Sequence, residues 1–389
     1  MKILVTGVAG FIGYHTANKL LLNKKIKLVG IDSINNYYDK KLKLQRVKNL
    51  KNKYKKNFYF IKLDICQRSK LFYLFKKHKF DKVINLAAQV GVRYSLKNPD
   101  AYFKSNLLGF FNILEACKVF KIKHLLAASS SSVYGANKKI PFSVKDAADH
   151  PIQFYAATKR CNEILSHSYS YSYNLPITLL RFFTVYGPWG RPDMALFLFV
   201  KNILKNKPIN VYNFAKHSRD FTYIDDIVSG VIKALNKKPK KNKNWNPKKP
   251  DPSTGIAPFK IINLGSSKKI KLMEYIRIIE KILGKKAIIK FSKLQKGDIE
   301  ENLFIIDEWN VNKVLDGGKV ALREMKNPKH PAGCMRWVYH RGEVRHCLVA
   351  TGPRIDGPHF QGKVQYECLV GGEVIWVTGE NLGKRKPRR

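Results

Sequence analysis

Short apolar runs alternate with stretches of helical periodicity over the first half of the chain. Buried parallel strands are continuous apolar runs, whereas amphipathic helices repeat apolar positions every three or four residues. The runs predict strands over residues 2–6, 27–31, 58–63, 82–86 and 124–128. The periodic stretches predict helices from the end of a Gly-rich turn to about residue 22, and over residues 70–77 and 105–119. Such alternation forms βαβ units, so we expect an α/β fold with a doubly wound parallel sheet and helices on both faces.

The pattern changes twice along the chain. Beyond about Arg181 the alternation weakens, residues 237–258 have the composition of an exposed loop, and residues 272–283 form an amphipathic helix pattern. After residue 301, strand patterns follow one another, with Gly371-Gly372 as a hairpin signal. We predict a doubly wound domain over residues 1–180, a smaller α/β domain over 181–302 and a β-rich basic module over 303–389.

The net charge of +45 is extreme for a chain of 389 residues. Such a charge is typical of proteins that bind nucleic acid or an anionic surface. Lysine supplies most of it before residue 300, together with much Asn and Ile, as an AT-biased coding sequence produces. Both solvated surface lysines and a selected polyanion-binding surface are therefore open interpretations.

The lengths of the apolar runs and the spacing of the cysteines argue against membrane-spanning, disulfide-rich and metal-binding classes of protein. No apolar run approaches the roughly 20 residues that span a bilayer, so we expect no membrane span. The six cysteines include no CxxC pair, so neither a disulfide framework nor a metal site is indicated. We expect a cytoplasmic protein.

A glycine-rich segment directly follows the first predicted strand. Gly7, Gly10 and Gly13 form a GxxGxxG pattern that opens the first predicted helix. Glycines there permit a tight turn and close approach of the backbone to a pyrophosphate at the helix N-terminus. Asp32 ends the second strand, where a carboxylate binds a ribose 2′-hydroxyl and repels a 2′-phosphate. The pattern predicts a dinucleotide site that takes NAD.

Tyr155 and Lys159 are four residues apart, which places both on one face of a helix. A free tyrosine has a pKa of about 10 and is a weak base at neutral pH. A nearby ammonium favours the phenolate, so Lys159 would bring Tyr155 toward its working range. A serine cluster at residues 129–132 lies upstream. This pattern indicates a catalytic pair, with an ordinary surface pair on a helix as the alternative.

Long segments resemble the extended short-chain dehydrogenase/reductase family, which acts on nucleotide sugars, and within it the UDP-glucuronate 4-epimerases. The resemblance covers residues 1 to about 300. It rests on the segments LAAQVGVRYSLKNP (86–99), SSSSVYG (129–135), DHPIQFYAATK (149–159), RFFTVYGPWGRPDMALF (181–197) and RDFTYIDD (219–226). It implies a Rossmann domain with a smaller nucleotide-sugar domain, a tightly held NAD and a homodimer.

The resemblance also implies roles for particular residues. Tyr155 would take the proton of the sugar 4-hydroxyl while C4 gives hydride to NAD, Ser130 would hold that oxygen, and Lys159 would tune the tyrosine. Turning the 4-keto sugar over before hydride returns would convert UDP-glucuronate to UDP-galacturonate. The cofactor residues would be Gly7, Gly10, Phe11, Ile12, Gly13, Asp32, Asp64, Ile65, Leu86, Ala87, Gln89, Asn106, Tyr155 and Lys159. The UDP-sugar residues would be Arg93, Ser131, Ser132, Thr184, Arg191, Tyr212, Arg219 and Asp298.

Two other functions remain open from the sequence. Related 4,6-dehydratases and decarboxylases carry acids where this chain has Ser131 and Ser132, which leaves epimerisation of either a UDP-hexuronate or UDP-glucose. The resemblance ends after Asp298, where the family's closing helix is replaced by the β-rich module. A basic protein with a vestigial Rossmann body, whose module binds nucleic acid, is the alternative from another class.

Overall fold

The computed structural model describes residues 1–293 apart from Lys268. It also describes the backbone of short strands at 301–302, 338–340, 343–345, 351–354, 365–370 and 373–378. Residues 1–292 divide between two compact units. The first contains Met1–Val185 and Lys216–Leu272, and the second contains Tyr186–Ala215 and Met273–Ser292.

The strands up to residue 302 have the following bounds: β1 (Lys2–Thr6), β2 (Lys27–Asp32), β3 (Phe58–Lys62), β4 (Lys82–Asn85), β5 (His124–Ser130), β6 (Ile177–Phe182), β7 (Thr184–Tyr186), β8 (Ile209–Tyr212), β9 (Ser218–Tyr223), β10 (Phe259–Leu264), β11 (Lys269–Lys271), β12 (Ile289–Ser292) and β13 (Glu301–Asn302). The α-helices are α1 (Phe11–Leu20), α2 (Lys40–Lys53), α3 (Arg68–His78), α4 (Tyr94–Lys97), α5 (Pro99–Tyr102), α6 (Gly109–Val119), α7 (Phe154–Tyr173), α8 (Ala195–Leu204), α9 (Ile224–Asn236) and α10 (Leu272–Leu283).

Seven parallel strands form the main sheet of the first unit, in the order β10-β6-β5-β4-β1-β2-β3. The chain runs outward from β1 to β3, then returns to place β4 on the other side of β1. The order therefore reverses between β1 and β4, and a crevice at the carboxyl ends of strands on either side of such a point binds ligands in open α/β sheets. The predicted doubly wound parallel sheet is confirmed.

Alternate residues of the central strands enter two hydrophobic cores, one on each face of the sheet. Ile3 and Val5 belong to one core together with residues of α1 and α9. Leu4 lies between them in sequence and belongs to the other core, which includes residues of α3 and α6. A strand that is buried on both faces is apolar at nearly every position, which explains the continuous runs in the sequence.

The predicted helix over residues 105–119 differs in its first part. Residues Phe103–Leu108 form a π-helix, and the α-helix α6 begins only at Gly109. A Cβ atom on Gly109 would lie 2.6 Å from Cγ1 of Ile65, so the junction packs closely against the segment after β3. Single-turn π-helices are frequent at functional sites.

Smaller sheets complete the described backbone. In the first unit, β9 pairs with β7, with β11 antiparallel and with β13 parallel. In the second unit, β8 and β12 form a parallel pair. Two antiparallel groups lie after residue 337: Val338–His340 with Glu343–Arg345, and Thr351–Arg354 with Gln365–Val370 and Glu373–Thr378.

The predicted domain ranges of 1–180, 181–302 and 303–389 stay a prediction. Within the described residues, the segment 216–264 contributes β10, an edge strand of the main sheet, and α9, whose residues join the core on one face of that sheet. None of the described helices is long and apolar enough to cross a bilayer.

Candidate active site

The turn after β1 excludes side chains at two positions. Gly7 has a φ of +67°, and a Cβ atom on it would lie 2.8 Å from the Ala87 nitrogen. A Cβ atom on Gly13 would lie 2.1 Å from the Gly7 carbonyl oxygen. That oxygen also accepts the N–H of Gly10 at 2.9 Å, and Gly10 caps α1 with no side chain. The first N–H groups of α1 therefore follow a turn that has no side chain at Gly7 or Gly10, a geometry that fits a pyrophosphate.

Asp32 lies beside this turn at the end of β2. Its two carboxylate oxygens accept the N–H of Ala9 at 3.1 Å and that of Ile34 at 2.9 Å. Burial raises the pKa of Asp32, while these hydrogen bonds and the charges of Lys43 and Arg46 oppose the rise. The carboxylate is thus fixed next to the turn, where the sequence predicts an acceptor for the ribose 2′-hydroxyl.

Two buried cations of α2 support the glycine turn and the loop after β2, and sequence reasoning missed them. Arg46 is completely buried, and its Nη1 donates to the carbonyl of Ala9 at 2.7 Å and to Tyr38 Oη at 2.8 Å. Lys43 is also buried, and its Nζ donates to Oδ1 of Asn35 at 2.6 Å and lies 4.3 Å from the centre of the Tyr38 ring. The cations fix the loop after β2, next to the candidate adenosine end of the site.

A sequence signal for these cations did exist. Leu42, Val47 and Leu50 are buried on α2 at helical spacing, and Lys43 and Arg46 fall on the same stripe. In a chain this rich in lysine, basic residues within an apolar stripe are hard to distinguish from side chains that bury only their stems.

The loop after β4 is tied to α7 by Asn106, a predicted cofactor residue. Asn106 Oδ1 accepts the N–H of Gln89 at 2.8 Å, and its Nδ2 donates to Thr158 Oγ1 at 3.0 Å. Thr158 Oγ1 in turn donates to the carbonyl of Tyr155 at 2.7 Å. Asn106 thus links the candidate nicotinamide end of the cofactor site to the helix that carries the catalytic pair.

The remaining predicted cofactor residues lie at strand ends or at the start of α1. Ala87 donates its N–H to Thr6 Oγ1 at 3.0 Å, which holds the end of β4 against the end of β1. Asp64 Oδ1 accepts the N–H of Cys66 at 2.9 Å. Phe11 and Ile65 are buried, whereas Ile12 and Leu86 are half-buried. The sheet thus brings the predicted cofactor residues that follow β1 to β4 to one edge, where the carboxyl ends of these parallel strands lie.

Tyr155 and Lys159 lie one turn apart on α7, which packs against β5 and the short 3₁₀-helix after it. Lys159 is buried, and its Nζ donates to the carbonyl of Ala128 at 2.9 Å. Burial lowers the pKa of Lys159 to about 8, although the Glu163 carboxylate acts in the opposite direction. Tyr155 is half-buried, and its ring meets that of Tyr102 edge-on with centroids 6.1 Å apart.

The serines at the end of β5 have different environments. Ser130 ends the strand and caps the 3₁₀-helix Ser131–Tyr134, because its Oγ accepts the N–H of Ser132 at 3.2 Å. Ser131 is buried and Ser132 is half-buried. Ser129 instead donates to Glu163 Oε1 at 2.6 Å. Because side chains alternate along a strand, Ser130 is directed away from the face that holds Glu163.

The predicted UDP-sugar residues of the first unit are Arg93, Ser131, Ser132, Thr184 and Arg219. Arg93 is exposed and precedes α4, while Thr184 is half-buried in β7. Arg219 is half-buried in β9, and its Nη1 donates to the carbonyl of Ser218 at 3.1 Å.

The neighbour of Arg219, Asp220, is a buried acid that sequence reasoning did not single out. Its oxygens accept the N–H of Ser266 at 3.0 Å, that of Ser267 at 2.6 Å and the hydroxyl of Thr222 at 2.8 Å. These bonds fix the segment after β10 against β9.

Two predicted UDP-sugar residues lie in the second unit. Arg191 forms a two-pronged ion pair with Asp193, with Nε–Oδ1 and Nη2–Oδ2 distances of 3.0 and 2.5 Å. Tyr212 ends β8 and is half-buried. Asp298 lies outside the described residues. Among the residues described, no group of three or more His, Cys, Asp or Glu side chains is placed to hold a metal ion.

The sheet order, the glycine turn and the tyrosine–lysine pair define a Rossmann-type enzyme whose residues fit a dinucleotide. The Epimerase family, described as the NAD dependent epimerase/dehydratase family, matches residues 3–246. The chain therefore belongs to this family, and the family resemblance predicted from the motifs is confirmed.

Individual relatives and solved structures are similar over most of the chain. It is 49% identical over 308 residues to Protein CapI of Staphylococcus aureus, covering 79% of this chain and 91% of that protein. It is 44% identical over 302 residues to the probable UDP-glucuronate 4-epimerase of Rhizobium meliloti, covering 77% and 87%. Its structure is similar to that of UDP-glucuronic acid 4-epimerase from Bacillus cereus in complex with UDP-glucuronic acid and NAD. That match has a TM-score of 0.69 at 33% identity and covers 84% and 99% of the two chains.

Proposed function

We propose that this chain is an NAD-dependent 4-epimerase that interconverts UDP-glucuronate and UDP-galacturonate. The observation that carries the proposal is the tyrosine–lysine pair on α7, packed at the end of β5 where Ser130 lies. Ser131 and Ser132 follow Ser130, so no acid–base pair for elimination is present at these positions. Relatives from Arabidopsis thaliana that are 42 to 44% identical to the chain are named UDP-glucuronate 4-epimerases.

The residues of this centre move one proton and hold one oxygen. Tyr155, as the phenolate, accepts the proton of the sugar 4-hydroxyl and later returns it to the 4-keto oxygen. The Lys159 ammonium stabilises the phenolate, and Ser130 donates a hydrogen bond to the sugar oxygen. Bound NAD would supply reversible hydride transfer at C4, and return of the hydride to the opposite face of the 4-keto sugar would leave no net redox change.

The first unit supplies the groups that hold the cofactor. The turn at Gly7 and Gly13 accommodates the pyrophosphate, and Asp32 accepts hydrogen bonds from the adenosine ribose. Arg46 holds the glycine turn at the Ala9 carbonyl, and Lys43 holds the loop after β2 at Asn35. A 2′-phosphate would meet the Asp32 carboxylate, so the site favours NAD over NADP.

Selection of a hexuronate needs donors for its carboxylate. Arg191 and Arg93 carry guanidinium groups, which bind carboxylates in a two-pronged geometry. A hexuronate carboxylate would take the place of Asp193 on Arg191. Ser131, Ser132 and Thr184 add hydroxyl donors. We assign Arg219, Tyr212 and Asp298 to the UDP part of the substrate.

The test is an NMR time course of purified protein with UDP-glucuronate and a catalytic amount of NAD. We expect signals of UDP-galacturonate to appear without net formation of NADH. UDP-glucose in a parallel sample tests the alternative of a hexose epimerase. Conversion of UDP-glucose alone, or of neither sugar by protein that retains NAD, would contradict the assignment to hexuronates.

The enzyme is proposed to act as a homodimer through an apolar face of the first unit. This face, formed by the π-helix, α6 and α7, is lined by Phe103, Leu107, Leu108, Phe111, Cys161, Ile164 and Leu165. Phe103 and Ile164 are 55% and 57% exposed in the single chain. A two-fold axis would place two such faces against each other, which is the usual way in which homodimers bury an apolar surface.

We propose that the protein is located in the cytoplasm, since Cys66, Cys117 and Cys161 are free thiols.

Light scattering after size-exclusion chromatography tests the dimer. We expect twice the 44.8 kDa chain mass for the natural protein and a single chain mass for Ile164→Asp. Ile282→Asp, at an isoleucine that is 49% exposed on α10, is the control and should remain dimeric. An Ile164→Asp protein that keeps the doubled mass would exclude this face.

A further inference from the structure

A buried acid beneath the catalytic pair has no role in the scheme above. Glu163 follows Lys159 by one turn on α7 and is 1% exposed. Its Oε1 accepts the Ser129 hydroxyl at 2.6 Å and Arg181 Nε at 2.8 Å. Its Oε2 accepts Arg181 Nη2 at 2.8 Å and Arg160 Nη1 at 3.1 Å. Four donors therefore surround one buried carboxylate, which lowers the pKa of Glu163 even though burial acts the other way.

The surroundings of this carboxylate contain buried charged and polar groups, whose removal from water costs free energy. Arg181, on β6, is completely buried, and its guanidinium carbon lies 4.7 Å from the centre of the Tyr134 ring. The Tyr134 hydroxyl donates to Asn263 Oδ1 at 2.7 Å, which extends the network to β10. Buried ion pairs often contribute no more stability than apolar side chains of similar volume. Stability alone is therefore a weak reason for placing this network behind β5.

The network is directly connected to the catalytic centre through three consecutive residues of β5. The Ala128 carbonyl accepts a hydrogen bond from the Lys159 ammonium, the Ser129 hydroxyl donates to the Glu163 carboxylate, and Ser130 ends the strand. Glu163 and Lys159 also share a face of α7, because residues four apart are neighbours on a helix. The carboxylate thus acts on the lysine through space and on the serine end of β5 through a hydrogen bond.

The other titratable groups around this centre come from several elements. Arg181 from β6 and the Tyr134 phenol from the 3₁₀-helix adjoin Glu163 on one side. Arg160 of α7 bonds Glu163 and also Asp149, at 2.9 Å, in the segment before α7. Burial lowers the pKa of Lys159 to about 8, and the charge of the Glu163 carboxylate opposes this decrease. Loss of this carboxylate would therefore favour the neutral lysine at working pH.

We propose that Glu163 is a positioning residue that keeps the Lys159 ammonium charged and fixes the end of β5 that presents Ser130. The inference rests on the proposed function, because Glu163 acts through Lys159 on the Tyr155 phenolate. It predicts a pH-dependent effect on turnover, which a residue that only supports the fold would not produce.

The test is the pH profile of kcat/KM for UDP-glucuronate in Glu163→Gln. Without the carboxylate, Lys159 loses its proton at lower pH, so the alkaline limb is expected to shift down by about one pH unit. At a pH above the alkaline limbs of both proteins, the activity of Glu163→Gln should be about tenfold below that of the natural protein. NAD content and thermal unfolding of the same samples separate this shift from loss of the fold.

Two further variants complete the design. Glu163→Asp keeps the charge but withdraws it by one methylene, so its limb should lie between those of the other two proteins. It also decides the question if Glu163→Gln does not fold, since a limb equal to that of the natural protein would then overturn the inference. Glu280→Gln removes a partly buried carboxylate of α10 and should leave the profile unchanged. A natural protein without turnover would instead contradict the proposed function itself.

Discussion

Gly13 approaches Gly7 so closely that a Cβ atom on Gly13 would lie 2.1 Å from the Gly7 carbonyl oxygen. Gly7 has a positive φ and is itself packed against the backbone at Ala87, so it has little room to move away. The first turn of α1 is thus joined to the ends of β1 and β4 at the point where the strand order reverses.

Gly13→Ala is expected to weaken NAD binding by about tenfold or more, because the added methyl displaces the turn that holds the pyrophosphate. NAD released on denaturation, measured per mole of protein, checks this. Gly284→Asn is the control, since an added Cβ on Gly284 meets no atom within 4 Å and asparagine tolerates the positive φ of this position. An alanine variant with the natural NAD content would show that the turn does not hold the cofactor.

Tyr155→Phe is expected to lower turnover by about a hundredfold or more while bound NAD stays in place, because the phenol is lost but no cofactor contact of the turn changes. The NMR assay measures turnover, and absorbance of the released cofactor measures NAD. Tyr171→Phe, at an exposed tyrosine of the same helix, should behave as the natural protein. Activity of Tyr155→Phe near that of the control would remove the role assigned to this tyrosine.

The sequence predicts the main sheet well because its strands are buried on both faces and are therefore apolar throughout. It does not predict the π-helix at Phe103–Leu108. Over a single turn, hydrogen bonds between residues five apart instead of four apart leave the spacing of apolar residues almost the same. The glycine turn, Asp32 and the pair on α7 are visible as motifs. Arg46 and Glu163 are not, because their partners Ala9 and Arg181 are distant in sequence and only the fold brings them together.

Arg191→Met is expected to lower kcat/KM for UDP-glucuronate by about 10- to 100-fold and to affect UDP-glucose much less, because only the hexuronate offers a carboxylate. Parallel kinetics with the two sugars measure the ratio. Arg277→Met, at an exposed arginine of α10, is the control for loss of one positive charge. Equal losses for both sugars would reassign Arg191 to the shared part of the substrate.

His124 makes the stability of the main sheet depend on pH. It is fully buried in β5, with Nδ1 3.2 Å from the Leu235 carbonyl oxygen and Nε2 2.9 Å from Thr178 Oγ1. Burial lowers its pKa to about 4, from about 6.5 in an unfolded chain, and the hydrogen bond to Leu235 only partly opposes this. Because the folded pKa is the lower one, the stabilising contribution is complete above pH 6.5 and is lost as pH falls toward 4.

We therefore expect the free energy of unfolding of the natural protein to fall by about 2 kcal/mol between pH 7.5 and pH 5 on account of His124. Urea unfolding at the two pH values measures this difference. His124→Gln keeps an amide donor and acceptor for Thr178 and Leu235 but does not titrate, so its difference should be smaller by that amount. His150→Gln, at an exposed histidine, should retain the full loss. If His124→Gln also loses stability to the same extent, other buried groups must take up the protons, since the glutamine cannot.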